Sequence, residues 1–332
     1  MSAIEGNVEE LPDLLNVIKN YSDNPSAFLA LNTGNSFFTQ PGIEGIISYR
    51  RSGSYLVQIG GAFAPADQQS ELLAKFKQYA AKEKRKIVAI QLQSEDLDLY
   101  SAEGFTVNQV GASYAVNLGS FTLKGSKFMQ LRNKISRATR AGLVVAEVPY
   151  EDWRLRMHSV DSSWLKSKGK NTKPLEFLVG ECGGSFQERR RLFVGVIDGE
   201  LVGYISYSPV YGRRSGWLHD LSRKISGGPP GIMEAINRQA ISAFQAEAVP
   251  WLHFGFTPFT GLKEECEPVG YSKWFRWVVG QLSVRGDFVY PSKTQLAYKH
   301  KWEPEASSEY IAFSDGASII GFLNVFRAAN AL

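Results

Sequence analysis

The feature that most constrains the fold is an ordered run of β and α segments between residues 192 and 254. Two apolar segments flank Asp198-Gly199, a dipeptide typical of a two-residue β-hairpin. A third strand ends at Trp217–Asp220, and a loop rich in Gly and Pro then leads into a helix over 231–246 and a strand at 251–254. The order predicts an antiparallel hairpin followed by a loop that feeds a helix N-terminus.

The first part of the chain shows a weaker version of the same order. Strands are predicted at 27–31, 45–50, 55–59, 87–92 and 113–118, with a hairpin at Ser52-Gly53 and a helix after Asp67. The chain therefore reads as α/β (α+β), with two units at 1–122 and 123–332. Each unit is expected to hold a mixed, mainly antiparallel sheet flanked by helices, with the active site in the second.

Composition narrows the class of protein. Two cysteines without a CxxC pair exclude a disulfide scaffold, and four histidines without HxH or HExxH spacing predict no metal site. The N-terminus has neither a basic nor an apolar signal region, and no apolar window is long enough to span a membrane. A reducing cytoplasm is the expected location.

Basic residues cluster locally although the net charge is only +4. Six basic and no acidic residues lie between Lys124 and Arg140, on a predicted helix at 126–141. Such a helix is often just a solvated face, but it can also follow a phosphate backbone. The candidate phosphate contacts here and in a further basic run are Lys127, Arg132, Lys134, Arg137, Arg140, Lys293, Lys299 and Lys301.

The loop after the third strand of the second unit is a candidate anion site. It runs from Asp220 through Arg223 to Gly231 and Glu234, where free backbone N–H groups at a helix start attract negative charge. Ordinary capping explains the same pattern: Asp220 and Arg223 at i, i+3 then form an ion pair, and Glu234 only stabilises the helix dipole.

Three further residues are candidates with equally plain alternatives. Trp164 lies in a Trp-Leu pair that is typical of a core, and Glu176 alone reads as a surface acid. His219, next to Asp220, is a candidate base or substrate contact, although such a histidine is more often a packed polar residue.

Taken together, these segments resemble the C-terminal domain family of phosphatidylglycerol lysyltransferases. The resemblance covers about residues 25–315, and each motif is weak alone, but their shared order is specific. The motifs are Gly60–Pro65, Leu99–Phe105, Gly111–Leu118, Leu131–Asn133 with Arg137, Trp164-Leu165, Glu176-Phe177 with Gly180, Asp220–Arg223, Pro230-Gly231 with Glu234, Phe254–Pro258, and Tyr298–Trp302.

The resemblance implies tandem acetyltransferase-like (GNAT-like) units and transfer of an aminoacyl group from tRNA to a hydroxyl or amine of a lipid or small molecule. It implies no cofactor. Asp220, Arg223 and Glu176 become catalytic candidates, while Glu234, Gly231, Trp164 and His219 become substrate contacts. The basic residues become tRNA contacts.

Several alternatives stay open at this point. The loop after Arg223 matches the acetyl-CoA loop RxxGxG/A poorly, yet a CoA-dependent N-acyltransferase remains an alternative. So does a non-catalytic RNA-binding protein with the same fold. A peripheral contact with a membrane and the oligomeric state are left open as well.

Overall fold

The computed structural model of the protein describes residues 13–168, 173–285 and 292–331. Its strands are β1 Ser36–Gln40, β2 Ile43–Ser52, β3 Tyr55–Ile59, β4 Lys86–Leu92, β5 Thr106–Asn117, β6 Val144–Val148, β7 Arg191–Ile197, β8 Glu200–Val210, β9 Gly216–Lys224, β10 Trp251–Pro258 and β11 Glu305–Phe313. Its α-helices are α1 Leu14–Tyr21, α2 Gln69–Lys82, α3 Leu97–Ala102, α4 Met129–Arg140, α5 Tyr150–Lys168, α6 Ile232–Ala246, α7 Lys273–Arg285, α8 Ser292–His300 and α9 Ile319–Ala328.

All of these strands hydrogen-bond into one sheet with the order β1-β2-β3-β4-β11-β5-β10-β9-β8-β7-β6. Most neighbours are antiparallel, and the exceptions are the pairs β3–β4 and β9–β10. Each parallel pair is joined by a crossover helix, α2 in the first case and α6 in the second. The predicted mixed, mainly antiparallel α/β architecture is confirmed, and the meander-plus-crossover order occurs twice.

The last strand of the chain completes the first half of the sheet. β11 pairs with both β4 and β5, and α9 then packs against β2, β3 and β4. β5 in turn pairs with β10, so the sheet is continuous across the predicted boundary at residue 122. The division into units 1–122 and 123–332 stays a prediction.

Local signals determine the hairpins. β7 and β8 are joined at Asp198-Gly199, where φ is +50° and +81°, the positive pair that a type I′ turn needs. β2 and β3 pair up to Ser52 and Tyr55 on either side of Gly53, as predicted. The helix predicted at 126–141 is α4 after one 3₁₀ turn.

Two predicted elements are wrong in type or extent. Residues Ala27–Leu31 form a 3₁₀ helix rather than a strand, and all five are buried. A short apolar run does not distinguish a buried strand from a buried turn of helix. β9 does not end at Asp220 but continues to Lys224, so Asp220 and Arg223 both lie within the strand rather than in a loop.

Candidate active site

The sheet opens between β9 and β10. The two strands pair only from Gly216 to Leu218 against Trp251 to His253, although β9 runs on to Lys224 and β10 to Pro258. The other parallel pair, β3–β4, stays paired over its full five residues. The second crossover pair is therefore the one that leaves a gap in the sheet.

A β-bulge in β9 sets the direction of the side chains along this gap. Opposite β8, Tyr207 pairs with His219 and Ser206 pairs with Leu221, so Asp220 is the extra residue. Before the bulge, Trp217 stacks on Phe244 of α6. After the bulge, Leu221 and Arg223 lie against α5 instead. In a regular strand these residues would share a face with Trp217, because side chains two residues apart point to the same side.

Asp220 carries a fully buried carboxylate at this bulge. Arg190 Nε lies 3.6 Å from one carboxylate oxygen, and although no donor in the described part of the chain reaches full hydrogen-bond geometry, Arg190 and the Ser208 hydroxyl both stabilise the charged carboxylate. Burial raises the pKa of Asp220 to about 6, while Arg190 opposes the rise. Asp220 pairs with Arg190 and not with Arg223, so the predicted i, i+3 ion pair is wrong.

Gly180 covers the Asp220 carboxylate. Its N–H donates to the Asp220 carbonyl at 3.2 Å, and a Cβ at position 180 would lie 2.3–2.6 Å from the three carboxyl atoms of Asp220. Only a residue without a side chain permits this approach. The close packing also holds the segment around residue 180 over the strand.

Arg223 lies under Trp164, with its guanidinium carbon 3.9 Å from the ring centroid. Such stacking leaves the edge of the guanidinium able to donate hydrogen bonds. One Arg223 nitrogen donates to the Ser222 carbonyl at 2.9 Å. Burial lowers the pKa of Arg223.

Two cavities meet at this point. The first, of about 410 Å³, lies in the gap between β9 and β10, and its wall includes Trp164, Glu176, His219, Asp220, Arg223 and Lys299. Most of its other lining is apolar, from the two strands, α6 and α9, including Leu218, Met233, Phe254, Phe322, Val325 and Phe326.

The second cavity, of about 400 Å³, shares Glu176 and Arg223 with the first. It is more polar and contains two other carboxylates, Asp161 and Glu181. The Tyr204 hydroxyl donates to Asp161, and Glu181 accepts from the backbone N–H of Thr33. Sequence reasoning missed these residues.

Glu176 lies at the shared wall and is half exposed. Arg50 donates to it at 3.0 Å, and the Arg50 guanidinium lies 5.2 Å from the ring centroid of Phe177. The pair joins β2 of the first half of the chain to the second-half segment that covers the gap. No local sequence signal identified Arg50, because its partner is 126 residues away.

His219 and Lys299 lie in buried environments that differ from those predicted for them. His219 is enclosed by Tyr207, Phe254 and Tyr298, and burial together with Lys299 lowers its pKa to about 3. It is therefore a weak base at neutral pH.

Lys299 does not contact solvent as a tRNA-binding lysine needs to. It is buried, and its ammonium donates to the carbonyls of Gly255 and Phe256 and to Thr257 Oγ1 at 2.7–3.1 Å. These acceptors belong to the stretch of β10 that β9 leaves, so Lys299 takes part in holding the gap open. Its predicted place on a nucleic-acid surface is wrong because its Nζ is buried and contacts three β10 acceptors inside the protein.

Gly231 and Glu234 have packing roles. A Cβ at Gly231, where φ is +95°, would lie 2.0 Å from the Lys134 carbonyl, so glycine lets α4 approach the start of α6. Glu234 accepts from Lys301 at 2.8 Å and lies 3.9 Å from Lys134. Neither residue lines the two cavities. Glu234 thus pairs with two lysines beside the start of α6, and the substrate contact of Gly231 and Glu234 stays a prediction.

The remaining basic residues lie mostly at the surface around α4. Lys127 is 3.9 Å from Glu303, Arg132 donates to two carbonyls, and Lys293 donates to the Val284 carbonyl. Arg137 and Arg140 are exposed on the last turns of α4. The tRNA contact of this group stays a prediction.

The described residues contain neither a membrane-spanning helix nor a cluster of metal-binding side chains. None of the helices that the structure describes is long and apolar enough to cross a membrane. No cluster of three or more His, Cys, Asp or Glu side chains suited to a metal ion occurs in the same ranges.

Comparison with known proteins agrees with this architecture. The family model for the C-terminal region of phosphatidylglycerol lysyltransferase matches residues 15–313. The phosphatidylglycerol lysyltransferase of Bacillus subtilis is 24% identical over 288 residues, which is 85% of this chain and 32% of that protein. A lysylphosphatidylglycerol biosynthesis bifunctional protein of Rhodococcus jostii is 23% identical over 67% of this chain and 20% of its own length. The chain thus spans a third or less of these curated relatives.

Solved structures show the same fold. The C-terminal domain of a candidate lysylphosphatidylglycerol synthetase from Agrobacterium fabrum superposes with a TM-score of 0.79 at 19% identity, covering 96% of each chain. L-PGS from Bacillus licheniformis gives 0.76 at 19% identity, covering 98% of this chain and 99% of that one. By the extent of the family match, the chain belongs to the phosphatidylglycerol lysyltransferase C-terminal family.

Proposed function

We propose that this protein transfers an aminoacyl group from aminoacyl-tRNA to the hydroxyl of a lipid. The observation that carries the proposal is the gap between β9 and β10, where an apolar cavity and a carboxylate-lined cavity meet at Arg223 and Glu176. One cavity suits an acyl or other apolar acceptor, and the other suits a cationic aminoacyl group. The relatives named as lysyltransferases make lysine the first amino acid to test.

The acidic side is where the aminoacyl ester would bind. Asp161, Glu176 and Glu181 line the second cavity, and two of its guanidiniums, Arg50 and Arg223, offset part of their charge. An aminoacyl ester carries an α-ammonium, and a lysyl ester carries a second ammonium on its side chain. Carboxylates in a partly enclosed cavity attract such groups more strongly than carboxylates in water do.

We assign to Asp220 the binding of the α-ammonium of the aminoacyl ester. Its two buried oxygens have Arg190 and Ser208 nearby but no well-formed hydrogen bond in the described residues, and a ligand ammonium would supply the missing donors. Asp220 lines the first cavity, and Gly180, which lines the second, lies between that second cavity and the carboxylate. Binding of an ammonium from the acidic side therefore requires the segment at residue 180 to move aside. Glu176, at the shared wall, would mark the outer limit of the bound aminoacyl group.

The reaction itself is an ester exchange. The acceptor hydroxyl attacks the carbonyl carbon of the aminoacyl ester, and the carbonyl oxygen becomes an oxyanion in a tetrahedral intermediate. The carbon–oxygen bond to the tRNA ribose then breaks, and the proton from the acceptor hydroxyl ends on the ribose oxygen. No cofactor is consumed.

Arg223 is placed to stabilise the developing charge. Its guanidinium is fixed against Trp164 at the junction of the two cavities, and a preorganised donor in such a site typically contributes on the order of 10²–10³ in rate. His219 is not assigned the base, because its low pKa makes it a poor proton acceptor.

The test compares variants in a single-turnover transfer assay with labelled lysyl-tRNA and phosphatidylglycerol. Asp220→Asn and Arg223→Met are expected to abolish transfer while the affinity for uncharged tRNA stays near that of the wild type. Asp198→Asn, in the exposed hairpin, is the charge-matched control. Equal loss of transfer and tRNA binding in Asp220→Asn would show that Asp220 only supports the fold.

The same assay separates the alternatives. Turnover with acetyl-CoA in place of aminoacyl-tRNA would establish an N-acyltransferase. Retained tRNA binding without transfer of any amino acid to any acceptor would establish a binding protein.

A further inference from the structure

The exposed apolar residues of this protein are concentrated on two neighbouring helices. Of the ten large hydrophobic side chains that are exposed in the described residues, six lie on α7 and α9. We call them the α7–α9 patch: Trp274, Trp277, Val284, Ile319, Ile320 and Leu323. Scattered exposed apolar residues are ordinary, but a concentration of this kind marks an interaction surface.

Each helix presents its apolar stripe away from the core. On α7, Phe275 and Val279 are buried, whereas Trp274, Trp277 and Val284 recur at spacings of three and seven residues on the solvent side. On α9, Phe322 and Phe326 are buried, and the exposed residues precede or flank them. The ring centroids of Phe275 and Phe322 lie 5.4 Å apart, so the buried faces of the two helices contact each other through this ring pair.

The charged residues in the sequences of α7 and α9 are all basic. The sequences of α7 and α9 contain Lys273, Arg276, Arg285 and Arg327 and no Asp or Glu. Arg276 is offset by Glu264 at 3.4 Å and Glu267 at 3.7 Å, both before α7. Lys273 and Arg327 are exposed, one at the start of α7 and the other near the end of α9.

The opposite side of α9 lines the apolar cavity. Phe322, Val325, Phe326 and Ala329 all contribute to its wall. One helix therefore separates the exposed apolar patch from the apolar cavity. A ligand that leaves a bilayer beside this helix would have a short path into the gap between β9 and β10.

From these observations we propose that the α7–α9 patch docks on the surface of a bilayer that contains anionic phospholipid. Tryptophan prefers the boundary between headgroups and acyl chains, and apolar helix faces flanked by cations bind in the plane of that boundary. The two tryptophans and the aliphatic residues of α9 enter the boundary, and Lys273 and Arg327 contact headgroup phosphates. The inference rests on the proposed lipid acceptor and adds the surface from which that acceptor is reached.

The test is co-sedimentation with vesicles, without tRNA. The vesicles consist of phosphatidylcholine alone or of phosphatidylcholine mixed with phosphatidylglycerol. The wild type is expected to bind the mixed vesicles more strongly, and Trp274→Ser/Trp277→Ser to lose about tenfold or more of that partitioning. Val144→Ser/Leu155→Ser is the matched control, because these side chains are 67% and 74% exposed on other elements. Thermal unfolding checks that both variants are folded.

A second measurement keeps this result separate from the proposed function. Transfer to a short-chain, water-soluble phosphatidylglycerol needs no docking, so the patch variant should match the wild type there. A wild type that does not bind vesicles, or a patch variant that binds them as well as the wild type, would overturn the docking proposal even if soluble transfer proceeds. A change in oligomeric state of the patch variant, with vesicle binding unchanged, would overturn it in favour of a second copy of the chain. Absence of soluble transfer by the wild type would refute the proposed function alone.

Discussion

Adding one methyl group at Gly180 tests whether the position of the Asp220 carboxylate matters. In Gly180→Ala the new Cβ would lie 2.3 Å from the carboxyl carbon of Asp220, against about 3.4 Å for an ordinary contact, so these atoms must separate by about 1.1 Å. The φ angle of Gly180 is not in the left-handed region, so alanine strains the backbone little. The added methyl group therefore displaces the Asp220 carboxylate and changes its 3.6 Å distance from Arg190 Nε.

The expected consequence is kinetic. A misplacement of about 1 Å in an active site can lower the rate by about 10²-fold. Single-turnover transfer from aminoacyl-tRNA should therefore fall by about that factor, with tRNA affinity near that of the wild type and a melting temperature lowered by an overpacking cost of about 1–3 kcal/mol. Gly119→Ala is the control, because its Cβ would meet only the Asn117 side chain, at 3.3 Å. Transfer at the wild-type rate in folded Gly180→Ala would refute the assignment of Asp220.

Three further predictions concern Lys299, Glu309 and Arg137. Lys299→Met leaves three β10 acceptors unpaired and should lower the free energy of unfolding in urea by about 3 kcal/mol, at about 1 kcal/mol for each lost partner; an unchanged midpoint would contradict this. Burial raises the pKa of Glu309 to about 8 from an ordinary 4.5, so the folded state favours the protonated carboxyl. The contribution of this group to the free energy of unfolding is complete below pH 4.5 and is lost as pH rises through 8. The melting temperature should thus fall more between pH 6 and pH 9 in the wild type than in Glu309→Gln, and parallel curves would refute the reasoning. Arg137→Ala should weaken tRNA binding and make its salt dependence shallower by about one unit of slope, as measured by filter binding over a salt series. A slope identical to that of the wild type would remove α4 from the tRNA interface.

Local sequence signals predicted the parts of the fold that depend on neighbouring residues. Asp198-Gly199 formed its hairpin because both residues accept positive φ, and α4 lies within the range 126–141 where a helix was predicted. The strand predicted at Ala27–Leu31 was wrong because a short apolar run is compatible with either a buried strand or a buried turn of helix. All five residues are buried, and their surroundings in the fold determine which of the two forms.

The candidate site was predictable only in its central residues. Asp220, Arg223, Trp164 and Glu176 all line the gap, and their order along the chain was the signal. Arg190 lies in a basic run that gave no hint of a buried role, although its guanidinium donates to Asn32, which is 158 residues away, at 2.7 Å.

Burial, which the sequence did not reveal, explains why some residues were assigned the wrong environment. Lys299 looks like any lysine in a basic run, and only the sheet geometry shows that it supplies three hydrogen bonds to the stretch of β10 that β9 leaves. The bulge that turns Leu221 and Arg223 toward α5 arises from the pairing of β9 with β8 and has no marker in the β9 sequence itself.

Transfer of label by the wild-type protein tests the central claim most directly. Lysyl-tRNA carrying labelled lysine is mixed with the protein and phosphatidylglycerol, other amino acids follow in turn, and label is counted in tRNA, lipid and aqueous fractions. The account predicts protein-dependent loss of label from tRNA with its appearance in the lipid fraction, for at least one amino acid. Label that stays on tRNA for every amino acid, or that moves only into the aqueous fraction, would contradict it.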